Sequence, residues 1–422
     1  MAQYRTAIIA CGTIARVHAR GWVGIPNRPG TGVPGHPTEI AAIADTHPDA
    51  RREFGDFFGV PEEHRYADHR EMLDAERPDF VDVCSWHRQH AEMTIAAAAR
   101  QPKAIICQKP MALSLGQADE MLTACERNGV KLAIAFQRPH HATWLKARDL
   151  IRDGAIGRPL QVQLDDGGNI LNTNSHNIRL ALFLMDEPRV EWVMGAVERT
   201  TDVMERSLPC EDRCLGLAGC DNGATILIQG NLVGARRGPR RPGERPPSAT
   251  SLPPSAVRRL GQGARVIGTD GMMELWTGRP PADQIPSDAP MRQPEGPSAG
   301  YNVEFGVARY FNGSSGGWQQ IEAPWHDCWA HQYQDVIDWV EGRVEEAISS
   351  ARHGRAVTEV MMALFESARK RKRIELPLKT RVNPLALMVE NGDLPVEWPG
   401  AYEARARLVR GEAMSWHDAE NA

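Results

Sequence analysis

Two side chains in this 422-residue sequence stand where proton and oxyanion chemistry could be done. Lys109 follows Gln108 at the end of the apolar run Ala104–Cys107 and is fixed by Pro110. A lysine flush against a buried strand can hydrogen-bond a reacting oxygen and favour negative charge developing on it. The plain alternative is a solvent-facing lysine. His176 ends the string Thr173-Asn174-Ser175-His176, which reads as a helix start. An imidazole with an unperturbed pKa near ~6.5 suits acid/base proton transfer at neutral pH. Its plain alternative is a helix-start histidine with satisfied hydrogen bonds. The two lie 67 positions apart, so they meet only if two domains close a cleft.

A third feature is a turn that could hold a phosphate. Ala10-Cys11-Gly12-Thr13-Ile14-Ala15 occupies the place of GxGxxG between a short apolar strand and a helix. Gly12 lets backbone approach a pyrophosphate, and the helix N-terminus offers amide donors with partial positive charge. Ala10 departs from the first glycine, so the string alone is weak. Asp45 ends the next apolar run, Glu39–Ala44, and an acid there binds ribose hydroxyls and repels a 2′-phosphate. It lies 33 positions after Gly12, rather than the ~20 of a compact unit. The Gly/Pro-rich stretch Asn27–Pro37 accounts for the excess as an inserted loop. Arg51 and Arg52 follow, so NAD is favoured while NADP stays open.

These groups need a scaffold. Thr6–Ala10, Glu39–Ala44, Phe80–Cys84, Ala104–Cys107 and Val130–Phe136 read as short buried strands. Helical stretches at Thr13–Arg20, Asp49–Phe58, His90–Arg100 and Leu115–Asn128 fall between them. The alternation predicts an α/β fold with a doubly wound parallel sheet covered on both faces. Ligands of such sheets bind at the carboxyl ends of the strands. After Pro139 the pattern turns to Leu160–Leu164, Glu191–Arg199, Cys214–Ala218, Ala224–Leu232 and Arg265–Trp276, mostly strands. Asp221-Asn222-Gly223 is a hairpin signal. The expected division is this parallel-sheet α/β domain over 1–139, an α+β domain with a mostly antiparallel sheet over 140–378, and an extension over 379–422. Pro/Arg-rich loops at about 234–263 and 279–300 read as insertions.

Composition narrows the classes. Lys+Arg 49 against Asp+Glu 54 gives −5, which argues against a chain built to coat nucleic acid or an anionic membrane. No apolar run approaches the ~18 residues of a membrane span. The eight cysteines lack small-domain disulfide spacing, and Cys210, Cys214 and Cys220 lack a zinc pattern, so no metal site is expected and a reducing cytoplasm fits.

Loop 10–15 with His18, Asp45, Cys84–His90, Gln108-Lys109-Pro110, Gly157-Arg158-Pro159, and Gly167-Gly168 with Asn172 and His176 together resemble the Gfo/Idh/MocA family (glucose–fructose oxidoreductase and inositol dehydrogenase-like). The resemblance runs from about residue 5 to about 378. It implies an N-terminal Rossmann domain for NAD and a second domain with an open sheet, NAD(P)-dependent hydride transfer at a hydroxyl of a sugar, glycoside or cyclitol, and homo-dimers or homo-tetramers. It implies Lys109 as the lysine beside the nicotinamide and His176 as the acid/base. Asn172 stands where the family usually has an aspartate, as an orienting group, and Arg179 replaces its second acid. Both changes shift local charge positive, which raises an acidic substrate as a hypothesis. Gln108 replaces the family glutamate. Ala10, Gly12, Thr13, Ile14, Asp45, Ser85, Trp86, His87, His90, Gln108, Lys109 and Gln137 fall to the cofactor. Arg138 falls to the substrate with Lys109, Asn172 and His176.

Two rivals share the scaffold: a glycoside-cleaving enzyme using transient oxidation and elimination, and a non-catalytic cofactor-sensing regulator. Trp318, Trp325, Trp329 and Trp339 could contact a sugar, and His326 or His331 could reach the cleft. Each is weighed against ordinary core packing.

Overall fold

The computed structural model describes residues 4–24, 38–164, 168–206, 208–231, 263–278, 305–324 and 326–397. The expected loop Asn27–Pro37, both Pro/Arg-rich insertions, Gly167, Trp325 and most of the extension lie outside them. The chain divides into two compact units.

The first unit holds a six-stranded parallel sheet, ordered β3-β2-β1-β4-β5-β6. Its strands are β1 (Tyr4–Ile9), β2 (Thr38–Ala44), β3 (Arg65–Tyr66), β4 (Phe80–Val83), β5 (Ala104–Cys107) and β6 (Lys131–Ile134). Helices α1 (Thr13–Val23), α2 (Pro48–Phe58), α3 (His69–Glu76), α4 (His90–Ala98) and α5 (Leu115–Arg127) fall between strands. Ile8, Ile43, Val81, Ile105 and Ile106 are buried. That is why these strands read as continuous apolar runs rather than alternating ones. Registers pair Ile9 with Ala44 and Val83, Val83 with Cys107, and Cys107 with Ile134. The residues after each strand therefore share one carboxyl edge.

The second unit carries a nine-stranded sheet ordered β16-β15-β14-β13-β7-β12-β11-β8-β17. Its strands are β7 (Pro159–Leu164), β8 (Val190–Glu198), β11 (Arg213–Cys220), β12 (Thr225–Gly230), β13 (Ala264–Gly268), β14 (Gly271–Gly278), β15 (Phe305–Asn312), β16 (Gln319–Gln320) and β17 (Ile374–Glu375). Among the described residues of this sheet β7 and β12 pair in parallel and the other pairings are antiparallel. A separate small hairpin joins β9 (Met204–Glu205) to β10 (Leu208–Pro209). Helix α6 (Ala142–Arg152) leads into this unit, and α7 (Ser175–Leu184), buried along its whole length, packs on β7, β12 and β13. A Cβ on Gly216 of β11 would lie 2.4 Å from Leu364. The bare strand thus lets α9 (Ala351–Lys370) sit close on the sheet. Helix α10 (Pro384–Glu390) follows.

One placement departs from sequence order. Helix α8 (Cys328–Val340), expected in the second domain, belongs to the first unit. Its Tyr333 ring stacks on Trp22 of α1 at 4.2 Å. No described helix is long and apolar enough to cross a membrane.

Candidate active site

In the first unit the carboxyl edge of the sheet gathers the expected cofactor residues. Ala10 follows β1 with φ 72, the left-handed conformation that a glycine would take without strain. Gly12 precedes α1 and offers no side-chain cap, and no acid stands in the first turn that Thr13 and Ile14 begin. This helix end keeps its positive character, which fits an anionic pyrophosphate. Asp45 ends β2 with both carboxylate oxygens in use. Oδ2 accepts from the Cys11 amide at 2.8 Å and Oδ1 from the His47 amide at 2.8 Å. The Arg51 guanidinium donates to the Asp45 carbonyl, and Arg52 pairs with Asp49 at 2.5 Å.

After β5, Gln108 is buried and works in two directions. Its Oε1 accepts from the Lys109 backbone amide at 2.5 Å, and its Nε2 faces His18 Nε2 at 3.3 Å. His18 Nδ1 meets Asp82 Oδ1 at 2.8 Å, and Trp22 Nε1 donates to Asp82 Oδ2 at 2.9 Å. Tyr333 Oη donates to the same oxygen at 3.3 Å. A carboxylate only accepts, so His18 carries its proton on Nδ1 and accepts from the Gln108 amide at Nε2. The lysine backbone is thereby tied through an amide and an imidazole to a buried acid. Position 108 thus contacts the Lys109 backbone. His18, Asp82 and Cys84 place three donor atoms within 4.8 Å of one another. They are hydrogen-bonded among themselves, and burial, aided by the Asp82 charge, pushes the Cys84 thiol well up.

Ser85, Trp86, His87 and His90 follow β4. Ser85, His87 and His90 are buried and Trp86 is half-buried. His90 Nδ1 faces the Pro110 carbonyl at 2.8 Å and Nε2 faces the Ser85 carbonyl at 2.9 Å. This ring ties the loop after β4 to the residue that follows Lys109. Gln137 and Arg138 follow β6 and are buried.

The second unit supplies His176, buried in the first turn of α7. The residues before it, Ile170–Asn174, form one π turn, closed by the Asn174 amide on the Asn169 carbonyl at 3.2 Å. Gly230 makes room for that turn. A Cβ there would lie 2.3 Å from the Gly168 carbonyl oxygen and 2.4 Å from Cys214 Sγ. Asn174 Nδ2 donates to the Gly168 carbonyl at 2.7 Å and the Gln229 carbonyl at 3.0 Å. Asn172 Nδ2 donates to Glu205 Oε1 of the small hairpin at 3.1 Å. The Ile170 amide donates to Glu211, a fully buried carboxyl that burial pushes up to about 7. Arg179 is buried and donates to both oxygens of Glu187, at 2.8 and 2.9 Å. The positive charge expected at Arg179 is therefore corrected, because Glu187 neutralises it, while Glu205, which faces Asn172, is itself paired with Arg206.

Residues 4–136 match the family model GFO_IDH_MocA, described as oxidoreductase family, NAD-binding Rossmann fold. Its Rossmann domain is that of the Gfo/Idh/MocA oxidoreductases. The chain is 35% identical to D-apiose dehydrogenase of Paraburkholderia graminis over 237 residues, 54% of this chain and 60% of that protein. It is 28% identical to myo-inositol 2-dehydrogenase of Thermotoga maritima over 197 residues, 43% and 55% of the two chains. The matches span little more than half the length of these curated relatives. Among solved structures it is similar to aldose-aldose oxidoreductase of Caulobacter crescentus, with TM-score 0.65 and 20% identity, over 88% of this chain and 99% of that one.

Several side chains that could have contacted a ligand take part in packing. Trp329 lies against His18 at 4.8 Å, Trp339 lies under Lys131 Nζ at 4.8 Å, and Trp318 lies under the Arg309 guanidinium at 4.2 Å. His326 Nε2 meets the His140 carbonyl at 2.7 Å, and its ring stacks on His331 at 4.3 Å. Burial, with His326 beside it, pushes His331 down to about 4. Cys210, Cys214 and Cys220 are buried. Sequence reasoning missed Asp82, Glu205 and Glu211. Asp82 had a visible signal, an acid inside the apolar run Phe80–Cys84; the two glutamates had none.

Proposed function

We propose that the chain is an NAD-dependent oxidoreductase moving a hydride between nicotinamide and a hydroxyl-bearing carbon of a neutral sugar, glycoside or cyclitol. The supporting observation is the carboxyl edge of the first sheet. There the uncapped start of α1, Asp45 and Lys109 follow strands β1, β2 and β5 of one register. Bound NAD supplies the hydride acceptor. The start of α1 holds its pyrophosphate, and the Asp45 carboxylate favours ribose hydroxyls over a 2′-phosphate. Lys109 donates to the reacting oxygen, and His176 takes its proton as the hydride leaves the carbon. Asn172 orients the substrate. Pairing of Arg179 with Glu187 removes the cation that would have favoured an acidic substrate and supports a neutral polyol.

The purified chain is incubated with NAD or NADP and D-apiose, myo-inositol, D-glucose or D-glucuronate, and reduced cofactor is read by absorbance. The expected result is NADH formed with a neutral compound and lost by at least about 100-fold in Lys109→Ala and His176→Ala. Cofactor binding without reduction by any of them, or full turnover by either variant, overturns the reading.

A further inference from the structure

Asn172 is held at three points. Its backbone amide donates to Asn169 Oδ1 at 2.8 Å, and its carbonyl accepts from Ser175 Oγ at 2.7 Å. Its side-chain Nδ2 donates to Glu205 Oε1 at 3.1 Å, across 33 positions of sequence. The hairpin glutamate is itself anchored. Asn169 Nδ2 donates to its Oε2 at 3.4 Å, and Arg206 pairs with its Oε1 at 2.5 Å. The Glu205 side chain is only 14% exposed.

The polarity of this contact follows from the donor inventory. A carboxylate has no proton to give, so it admits only the NH2 end of an amide. Asn172 therefore turns its carbonyl oxygen away from Glu205. An asparagine without such a neighbour can present either end. Here it is restricted to acting as an acceptor on its far side, the role an aspartate would play at that position. The negative charge sits one side chain further back, on a hairpin.

We propose that Glu205 is a positioning residue of the active site: it fixes Asn172 as a one-sided acceptor for a substrate hydroxyl, four residues before His176. This rests on the reading of Asn172 and His176 as substrate-site residues. The carboxylate is supplied in trans along the chain, so the pair can be exchanged. Asn172→Asp alone sets two carboxylates against each other. Asn172→Asp with Glu205→Gln restores a donor–acceptor contact with its direction reversed.

The test is a cycle of the full chain, N172D, E205Q and N172D/E205Q, with E205A and H176A beside it. Each is assayed with NAD and whichever of D-apiose, myo-inositol or D-glucose the unaltered chain oxidises fastest. N172D is expected to lower kcat at least about tenfold, with KM for NAD unchanged. N172D/E205Q is expected to return within about threefold of the unaltered chain. A double variant as slow as N172D, or E205A with unchanged kcat, overturns the proposal. H176A separates the two failures: if it turns over normally, the site reading has failed; if it is inactive, only the role of Glu205 has. Thermal unfolding of the same cycle reads the contact without any substrate. Independent, additive shifts there overturn the proposal whatever the turnover.

Discussion

His18 and Asp82 meet through Nδ1 and Oδ1 at 2.8 Å, and neither side chain is exposed. The acid also receives Trp22 Nε1 and Tyr333 Oη, so one buried carboxylate joins α1, β4 and α8. Burial, and then the Asp82 charge, push the Tyr333 hydroxyl well up, so it stays a donor. Asp82→Asn leaves the shape but turns one acceptor oxygen into a donor facing donors. The expected cost is about 3 kcal/mol, measured by urea unfolding. A change under ~0.5 kcal/mol would mean the network is not holding these elements together.

Gln108 extends that network to Lys109. Gln108→Glu keeps an acceptor for the Lys109 amide but removes the donor to His18 Nε2. The ring must then lose a partner or take a second proton. A loss of roughly 1–2 kcal/mol is expected at neutral pH, together with weaker turnover, because the Lys109 backbone is less firmly set. Unchanged stability and turnover would show that the amide at this position is incidental.

The first sheet was legible because strands buried on both faces leave apolar runs bounded by breakers, and Asp45 stood at the end of one. The placement of α8 was not legible. Tyr333 lies 251 positions from Asp82, and sequence order does not say which sheet a late helix will cover. Asn172 and His176 were visible as residue types in a helix start. Glu205 was not, since a hairpin of two-residue strands has no periodicity to read. The positive charge inferred at Arg179 failed for a similar reason: Glu187, which neutralises it, lies past the end of α7 and outside its helical pattern.

Ala10 offers a test of the first turn. With φ 72 it sits where L-residues are strained by roughly 1–2 kcal/mol. Ala-to-Gly changes elsewhere cost about 0.4–1 kcal/mol through the unfolded chain. Ala10→Gly is therefore expected to be neutral or to stabilise by up to about 1 kcal/mol, read as an unchanged or raised unfolding midpoint. Clear destabilisation would mean that the alanine methyl makes contacts outweighing the backbone strain.

Glu211 makes stability depend on pH in a known direction. Burial raises its folded pKa to about 7, above the ordinary carboxylate value near ~4.3 in the unfolded chain. The folded state then holds the proton more tightly. Its stabilising contribution is complete below pH ~4 and is lost as pH rises to about 7. Glu211→Gln stands in for the protonated form and lacks this loss. Between pH 4.5 and 7.5, its stability relative to the unaltered chain should rise by roughly 2–3 kcal/mol. Parallel unfolding curves for the two proteins across that range would contradict a buried, proton-holding Glu211.

Gly230 ties the second sheet to the turn before His176. An added methyl would meet the Gly168 carbonyl and Cys214 Sγ, and Asn174 Nδ2 would lie 3.0 Å away. The Asn174 amide spans from Gly168 to the Gln229 carbonyl, so the turn cannot retreat without giving up one of those bonds. Gly230→Ala is expected to cost about 1–3 kcal/mol, as other overpacked sites do. It should lower kcat more than it raises KM for NAD, because the cofactor edge belongs to the first unit. Compared with Gly216→Ala, which presses on Leu364 and α9 instead, the two variants should lose similar stability. Only Gly230→Ala should lose turnover once both are assayed well below their melting temperatures. Equal turnover in the pair would separate the π turn from the chemistry.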